Sequence, residues 1–350
     1  MDINIQPRRQ PAVLGQLITD PAGWTGEALD SRSDWVYELS SQEVSQLVDM
    51  ANRVEQSLQG DLNGLLGMSK DDFALGPLSL KLAGIRDQLS DGLGAALVRG
   101  LPMQELSQST AAIIYWAIGS YFGLAKSNNA QGDMLGHVTD LGKSYADPET
   151  RGYQTREGLD YHCDNTTVVG LMCVRPAQEG GRSKIASSVT VYNELLRRSP
   201  ESVAVLSEPF YWTRHGEVNP GESPFYTSPV FNVLDDKLCV CFSLGSITKG
   251  HELPGAPALS EPQKTALALV EQIAQEQHCA MELRPGDMQF LNNYVVLHTR
   301  TAYTDWPEET KKRLLWRLWL SAPDMRPATE YVKLWERGVR LGDTSERIVL

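Results

Sequence analysis

Residues 161–164 read Tyr-His-Cys-Asp. A histidine and an aspartate two apart can offer an imidazole nitrogen and a carboxylate oxygen to one metal ion. The same pair also describes polar residues at a strand end or in a surface loop, so a third ligand must come from elsewhere. Of the six histidines, His278 follows a polar helix end, and His215 and His251 lie in the loop sequences TRHGEVNPG and TKGHELPG. His137, in LGHVTDLG, suits a hydrogen-bonding role beside a pocket better than a metal. His298 differs. It closes PGDMQFLNNYVVLH, where a turn at Pro285-Gly286-Asp287 leads into an apolar stretch, Asn292 and Asn293 interrupt it, and a second apolar stretch delivers the histidine. Two imidazoles and one carboxylate can occupy one face of an octahedral ion and leave the other face open, the arrangement of non-haem Fe(II) oxygenases. His162, Asp164 and His298 supply such a set.

The stretch after His298 supplies charge. Arg313 and Arg317 are four apart in the apolar run RLLWRLWL, so in a strand they share one face. On an inward face two guanidiniums are costly unless they meet anions. The planar fork of arginine matches a carboxylate in bidentate fashion, so a dicarboxylate with one end on a metal and the other on arginine would satisfy the pattern. The alternative places both arginines on the solvent side of an edge strand.

These residues need a scaffold. TTVVGLMCV (166–174), SKIASSV (183–189), PVFNVL (229–234), KLCVCFSL (237–244), AMELRPGDMQFLNN (280–293) and RLLWRLWLS (313–321) read as short strands between turn signals. GAALVRGLP (94–102) adds a buried strand. Helices are expected from Ser40, where Ser40 and Glu43 fit a capping box, over the apolar run 111–125, over 260–277, and over the final ATEYVKLWERGVRL. Many short strands with helices outside them predict a mainly β fold with α additions: a sandwich or jelly roll in a helical jacket. The reading is one catalytic domain, 1–350. It has an irregular arm over 1–38, a mostly helical part over about 39–150, a core over about 155–321 and a C-terminal helix within 322–350. The aromatic segment 209–231 is either a cover over the core or a surface loop pinned by its own rings.

Composition excludes several partners. Lysine and arginine number 32 against 44 aspartates and glutamates, a net charge of −12 without a long basic run. That speaks against nucleic acid and anionic membranes, although a pocket's local field can oppose the net charge. The partner class is a small-molecule substrate, with self-association into a homo-oligomer left open. The N-terminus lacks the apolar stretch of a signal peptide, and the run 111–125 is too short to span a bilayer. The five cysteines form no CxxC and read as free thiols of a cytoplasmic protein rather than disulfides or a zinc site.

Taken together, HCD at 162–164, GGRS at 180–183, LNNYVVLH ending at His298 and RLLWR at 313–317 resemble the taurine dioxygenase (TauD/TfdA-like) family of Fe(II)- and 2-oxoglutarate-dependent oxygenases, relatives of clavaminate synthase. The resemblance runs from about 155 to 321. It implies a double-stranded β-helix core and Fe(II) on His162, Asp164 and His298. It also implies 2-oxoglutarate with its distal carboxylate on Arg313 and the Ser183 hydroxyl, and Arg317 facing the same cavity. The implied reaction consumes dioxygen, releases succinate and carbon dioxide, and hydroxylates an aliphatic C–H bond of a small polar metabolite, with amino-acid-like molecules first among the candidates. Asp164 argues against halogenation, because relatives that halogenate have a small residue there. Desaturation, epoxidation or cyclisation of a bulkier natural-product scaffold is the alternative outcome. A zinc hydrolase or an inactive metal-binding jelly-roll protein stays open as a different class. Asn165, Arg156, His137 and Asn128 are the candidate substrate contacts.

Overall fold

The computed structural model describes residues 7–327, 333 and 338–350. Its larger sheet has seven strands. Six run in the order β1 (Val36–Glu38), β2 (Ala95–Arg99), β13 (Met288–Asn292), β5 (Val168–Arg175), β16 (Leu314–Ser321) and β3 (Leu124–Lys126), and β4 (Gly136–Val138) pairs with β16. All pairs are antiparallel except β1 with β2. A second sheet holds β12 (Cys279–Met281), β7 (Ser183–Ser187) and β14 (Val296–Arg300), again antiparallel. Three two-stranded ribbons complete the β structure: β8 (Phe210–Thr213) with β9 (Phe225–Ser228), β10 (Phe231–Leu234) with β11 (Lys237–Val240), and β6 (Glu179–Gly180) with β15 (Tyr303–Thr304).

The near-continuous apolar runs follow from burial on both faces. In β16, Leu314, Trp316, Leu318 and Leu320 join one core cluster, and Arg313, Leu315, Arg317 and Trp319 alternate onto the opposite face. In β2, Ala96 and Val98 belong to the first cluster and Ala95 and Leu97 to the second. The first cluster also draws in α2 (Ser41–Ser57), α3 (Leu78–Asp91) and α4 (Gln108–Ser120), which cover that face. The second cluster gathers residues of both sheets, among them Val169, Ile185, Ala186, Leu291, Leu297 and Trp319. In the first cluster Gly170 lets β5 approach α4 and β13 closely, since a methyl there would meet the Tyr115 hydroxyl at 2.7 Å and the Phe290 ring at 2.8 Å.

Several expectations hold. The Ser40–Glu43 capping box is formed, α8 (Glu261–Glu276) starts from Ser260 as read, and all five cysteines are free. No described helix is long and apolar enough to cross a membrane. Others need correction. The arm is not loose: Ala12, Ile18, Ala22, Trp24, Leu29 and Trp35 lie in the second cluster, and it carries α1 (Gly26–Asp30) and β1. Its tryptophans at 24 and 35 donate to the Leu93 and Leu29 carbonyls. One helix was expected among the later strands, yet α5 (Ser188–Arg198), α6 (Pro200–Leu206) and α7 (Leu244–His251) lie there too. Residues 188–192 are rich in β-branched types, but Ser187 caps the segment by accepting from Thr190 N–H, and Val191, Tyr192 and Leu195 bury on one side. Most of the expected C-terminal helix lies outside the described residues. Residues 338–350 form turns, with Gly338 and Gly342 at positive φ, and a bridge from Arg347 to Asp133.

Candidate active site

The two sheets converge on a cavity of about 130 Å³. His298 is the third residue of β14, and its main chain exchanges both hydrogen bonds with His162, N–H to carbonyl at 2.9 and 2.8 Å. Residues paired in that way hold their side chains close on one face. The two imidazole centroids are accordingly 4.3 Å apart. Asp164 follows as the chain turns away, its N–H held by Asn293 Oδ1 at 3.0 Å while Asn293 Nδ2 donates to the Thr166 carbonyl. The adjacent asparagines therefore have structural work: Asn293 fastens the loop after Asp164, and Asn292 donates to the Leu89 carbonyl on α3.

His162, Asp164 and His298 bring one ligand atom each within 4.8 Å of the others. Burial, and then His162, push the His298 imidazole down to about 3, so it stays neutral. Burial opposes charge on Asp164 as well, but the Arg317 guanidinium holds its carboxyl below the usual range. His162 Nδ1 lies 2.9 Å from the Asp160 carbonyl oxygen, which can only accept. Nδ1 therefore carries the proton and Nε2 is bare, the usual orientation of a metal-ligating imidazole. Asp164 Oδ2 is buried without a hydrogen-bond partner and stands 3.8 Å from His298 Nε2, too far for a hydrogen bond. Bare nitrogens facing an unsatisfied carboxylate oxygen fit a divalent cation.

The arginines face inward, 5% and 6% exposed for Arg313 and Arg317. The solvent-side alternative is thereby excluded. Arg317 donates to Asn128 Oδ1 at 2.9 Å and Asp164 Oδ1 at 3.3 Å, between the rings of Tyr153 and Trp319. Arg313 joins no ion pair among the described residues, and its Nη1 is buried and unbonded. Burial pushes its pKa below the ordinary arginine value. Gly180 and Gly181 make room for it: both have positive φ, and a methyl on Gly181 would lie 3.0 Å from Arg313 Nε. Ser183 lines the same cavity, its hydroxyl donating to Gln289 Oε1 at 3.1 Å.

Sequence reasoning missed three contributors. Gln289 is fully buried between Ser183 and Met281, and the alternation of β13 could have pointed it inward. Arg300 lies opposite Ser183 in the β7–β14 register and lines the cavity. It donates to the carbonyls of Gly152, Thr155 and Glu157, and burial, then Arg313, push it down to about 10. The HxR spacing from His298 was its available signal. Arg151 also lines the cavity, paired with Glu217, and nothing in its local sequence marks it. Of the candidate substrate contacts, Asn165 lines the cavity. Asn128 is fully buried but reaches the site only through Arg317. Arg156 is exposed, outside the cavity lining. His137 is outside it too, bonded to the Val349 carbonyl. The alternation of β4 turns Val138 inward and His137 away.

One buried acid flanks this site. Glu271 accepts from Tyr161 N–H at 3.2 Å, and its Oε1 is buried and unbonded. Burial, with help from Asp160, raises its carboxyl to about 8. A raised carboxyl favours the fold below its unfolded value near 4.5, and that contribution is lost as pH rises through about 8. Glu271→Gln keeps the acceptor and removes the charge. It is expected to raise Tm at pH 9 by about 2–4 °C and to change it little at pH 4.5. Equal effects at both pH values would contradict this.

Comparison with known proteins agrees with this geometry. The profile of the family described as taurine catabolism dioxygenase TauD, TfdA family matches residues 61–319. FR-33289 synthase of Streptomyces rubellomurinus is 29% identical over 90% of this chain and 93% of its own length. Among solved structures, asparagine oxygenase in complex with Fe(II), 3-hydroxyasparagine and succinate superposes with a TM-score of 0.65 at 20% identity, covering 88% of this chain and 99% of that one. The non-haem iron oxygenase OrfP, in complex with Fe and α-ketoglutaric acid, gives a TM-score of 0.63 at 13% identity, covering 88% and 100%.

Proposed function

The chain belongs to the TauD/TfdA dioxygenase family, and from that premise we propose that His162, Asp164 and His298 hold the ferrous ion of a 2-oxoglutarate-dependent hydroxylase acting on a small polar metabolite. The enzyme is a non-haem iron dioxygenase; the residue roles and the substrate are the reading offered here. The carrying observation is the unsatisfied Asp164 Oδ2 beside two imidazoles, with one ligand atom from each of the three residues within 4.8 Å of the others, at the meeting of β14 and the His162 bridge. When bound, iron with 2-oxoglutarate and dioxygen supplies an oxidant able to break an aliphatic C–H bond, with succinate and carbon dioxide as coproducts.

The chain's own groups set up that chemistry. Arg317 occupies Asp164 Oδ1 and leaves Oδ2 to face the histidines. The Asp160 carbonyl keeps the proton on His162 Nδ1. Arg313 and Ser183 receive the distal carboxylate of 2-oxoglutarate, and the charge of Arg300 nearby adds to the attraction. Asp164 occupies the position a halide would need, which favours hydroxylation. The β8–β9 ribbon places Trp212 in the cavity lining and acts as a cover that excludes water. The compact cavity and its polar walls favour a small substrate over a bulky scaffold. An amino-acid-like metabolite fits that description; the oxygenase named above is an asparagine oxygenase. The core is a double-stranded β-helix, which the pairing of the larger sheet with β12–β7–β14 supports.

Anaerobic Fe(II) with 2-oxoglutarate should give a weak visible charge-transfer band. Under oxygen-18 dioxygen, a hydroxylated product should carry the label, with succinate in step. No band, or a chlorinated product in excess chloride, would overturn the reading.

A further inference from the structure

The cavity wall is charged unlike the protein as a whole. The chain carries −12, yet four guanidiniums line the cavity, Arg151, Arg300, Arg313 and Arg317, against one carboxylate among the described lining residues, Asp164. One distal carboxylate of 2-oxoglutarate would engage Arg313, and Arg317 is committed to Asp164 and Asn128. Arg300 is tied down by main-chain carbonyls. Arg151 remains. It sits over the outer part of the same indole that stacks on Arg317, with guanidinium carbons 5.7 and 4.7 Å from the Trp319 ring centroid. Glu217, at the tip of the β8–β9 ribbon, takes Arg151 Nε and Nη2, while Nη1 makes no hydrogen bond among the described residues. The neighbouring His215 contributes no charge, since burial, and then Arg151 and Lys249, hold it well below its ordinary value.

A free ammonium entering here would meet guanidiniums and find no uncommitted carboxylate. An acid would meet an open edge of Arg151. From this geometry we infer that the substrate is an acid without a free ammonium, its carboxylate, phosphate or phosphonate head bound by Arg151 and opposed by Glu217. The inference rests on the oxygenase reading and specifies the substrate class of that site. It also gives Arg151 and Glu217 opposite effects. Glu217 shares the guanidinium and lowers its attraction for a second anion, so removing its charge strengthens the anion site.

The test uses protein loaded anaerobically with Fe(II) and 2-oxoglutarate, so that the inner site is filled. Propionate, propyl phosphate and propylphosphonate are titrated, with propylammonium as the control, and tryptophan fluorescence is followed because Trp319 lies under Arg151. At least one anion should bind, its identity naming the head group, and propylammonium should not. Arg151→Gln should weaken that anion by at least about tenfold, the usual cost of losing a charged hydrogen-bond partner. Glu217→Gln should tighten it. Unchanged anion affinity in Arg151→Gln overturns the inference. If that variant does not fold, unchanged or weaker affinity in Glu217→Gln overturns it instead. In a parallel screen of amino acids against their N-acetyl derivatives, succinate release driven by the free amino acid alone also overturns it. Absence of the charge-transfer band condemns the oxygenase reading separately, and the anion titration stays readable in that event.

Discussion

Replacing His298 by alanine is expected to abolish both turnover and iron retention while the protein stays folded. The imidazole is buried, neutral and paired through its main chain with His162. The ladder that holds β14 runs through main-chain groups, so the strand pairing survives loss of the side chain. Losing even an outer partner of a metal ligand costs about 10–100-fold in metal affinity or activity, and losing a ligand of a three-residue set costs more. Iron content after desalting, succinate release and circular dichroism together separate loss of metal from loss of fold. Full iron-dependent activity in His298→Ala would sink the assignment, and with it the grouping of His162 and Asp164. Asp164→Ala has an added consequence, because it also leaves Arg317 buried without its carboxylate. A greater loss of stability is expected there than at His298.

Arg313→Ala is expected to raise KM for 2-oxoglutarate by about two to three orders of magnitude. Removing one partner of a buried charge pair costs roughly 3–5 kcal/mol, and each 1.4 kcal/mol is about tenfold. Arg300 offers some compensating attraction, which places the effect toward the lower end. The effect on stability runs the other way. Without cosubstrate, Arg313 is a buried guanidinium with no ion pair among the described residues, beside a second one that burial and this neighbour already depress. The variant's Tm without 2-oxoglutarate should therefore match or exceed that of the parent protein, while the rise in Tm on adding 2-oxoglutarate should shrink. An unchanged KM would pass the role to Arg317 or Arg300. Ser183→Ala should cost less, about 1–3 kcal/mol, because Gln289 already holds the hydroxyl and the carboxylate keeps its main cation.

The chemistry was legible because it rests on residue types at short spacing. His162 and Asp164 are two apart, Arg313 and Arg317 four apart on one strand face, and the Gly180-Gly181 pair stands three before Ser183. Each spacing fixes a relation that any strand or turn enforces. The larger strands were legible too, since burial on both faces leaves near-continuous apolar runs such as 168–174 and 314–320. Helices α5 to α7 were not, because β-branched residues at 188–191 and serines at 243 and 246 take their meaning from caps and from what packs against them. The arm read as irregular because its buried residues follow neither period; they are buried by the elements they cross.

What only the tertiary structure decided is how residues far apart in sequence combine. The sequence offered His298 as a third ligand, but its main-chain exchange with His162 is a long-range pairing. Arg313 could equally have faced solvent until the second sheet closed over its face of β16 and left it lining the cavity. Arg151 and Glu217 lie 66 positions apart, each in a loop without periodicity. Local sequence sets which side chains share a strand face. Whether that face is buried, and which charges meet across it, depends on loop closures and packing that no short window contains. For that reason the residues proposed for the metal and for the cosubstrate could be picked out of the chain, and the charge of the cavity wall could not.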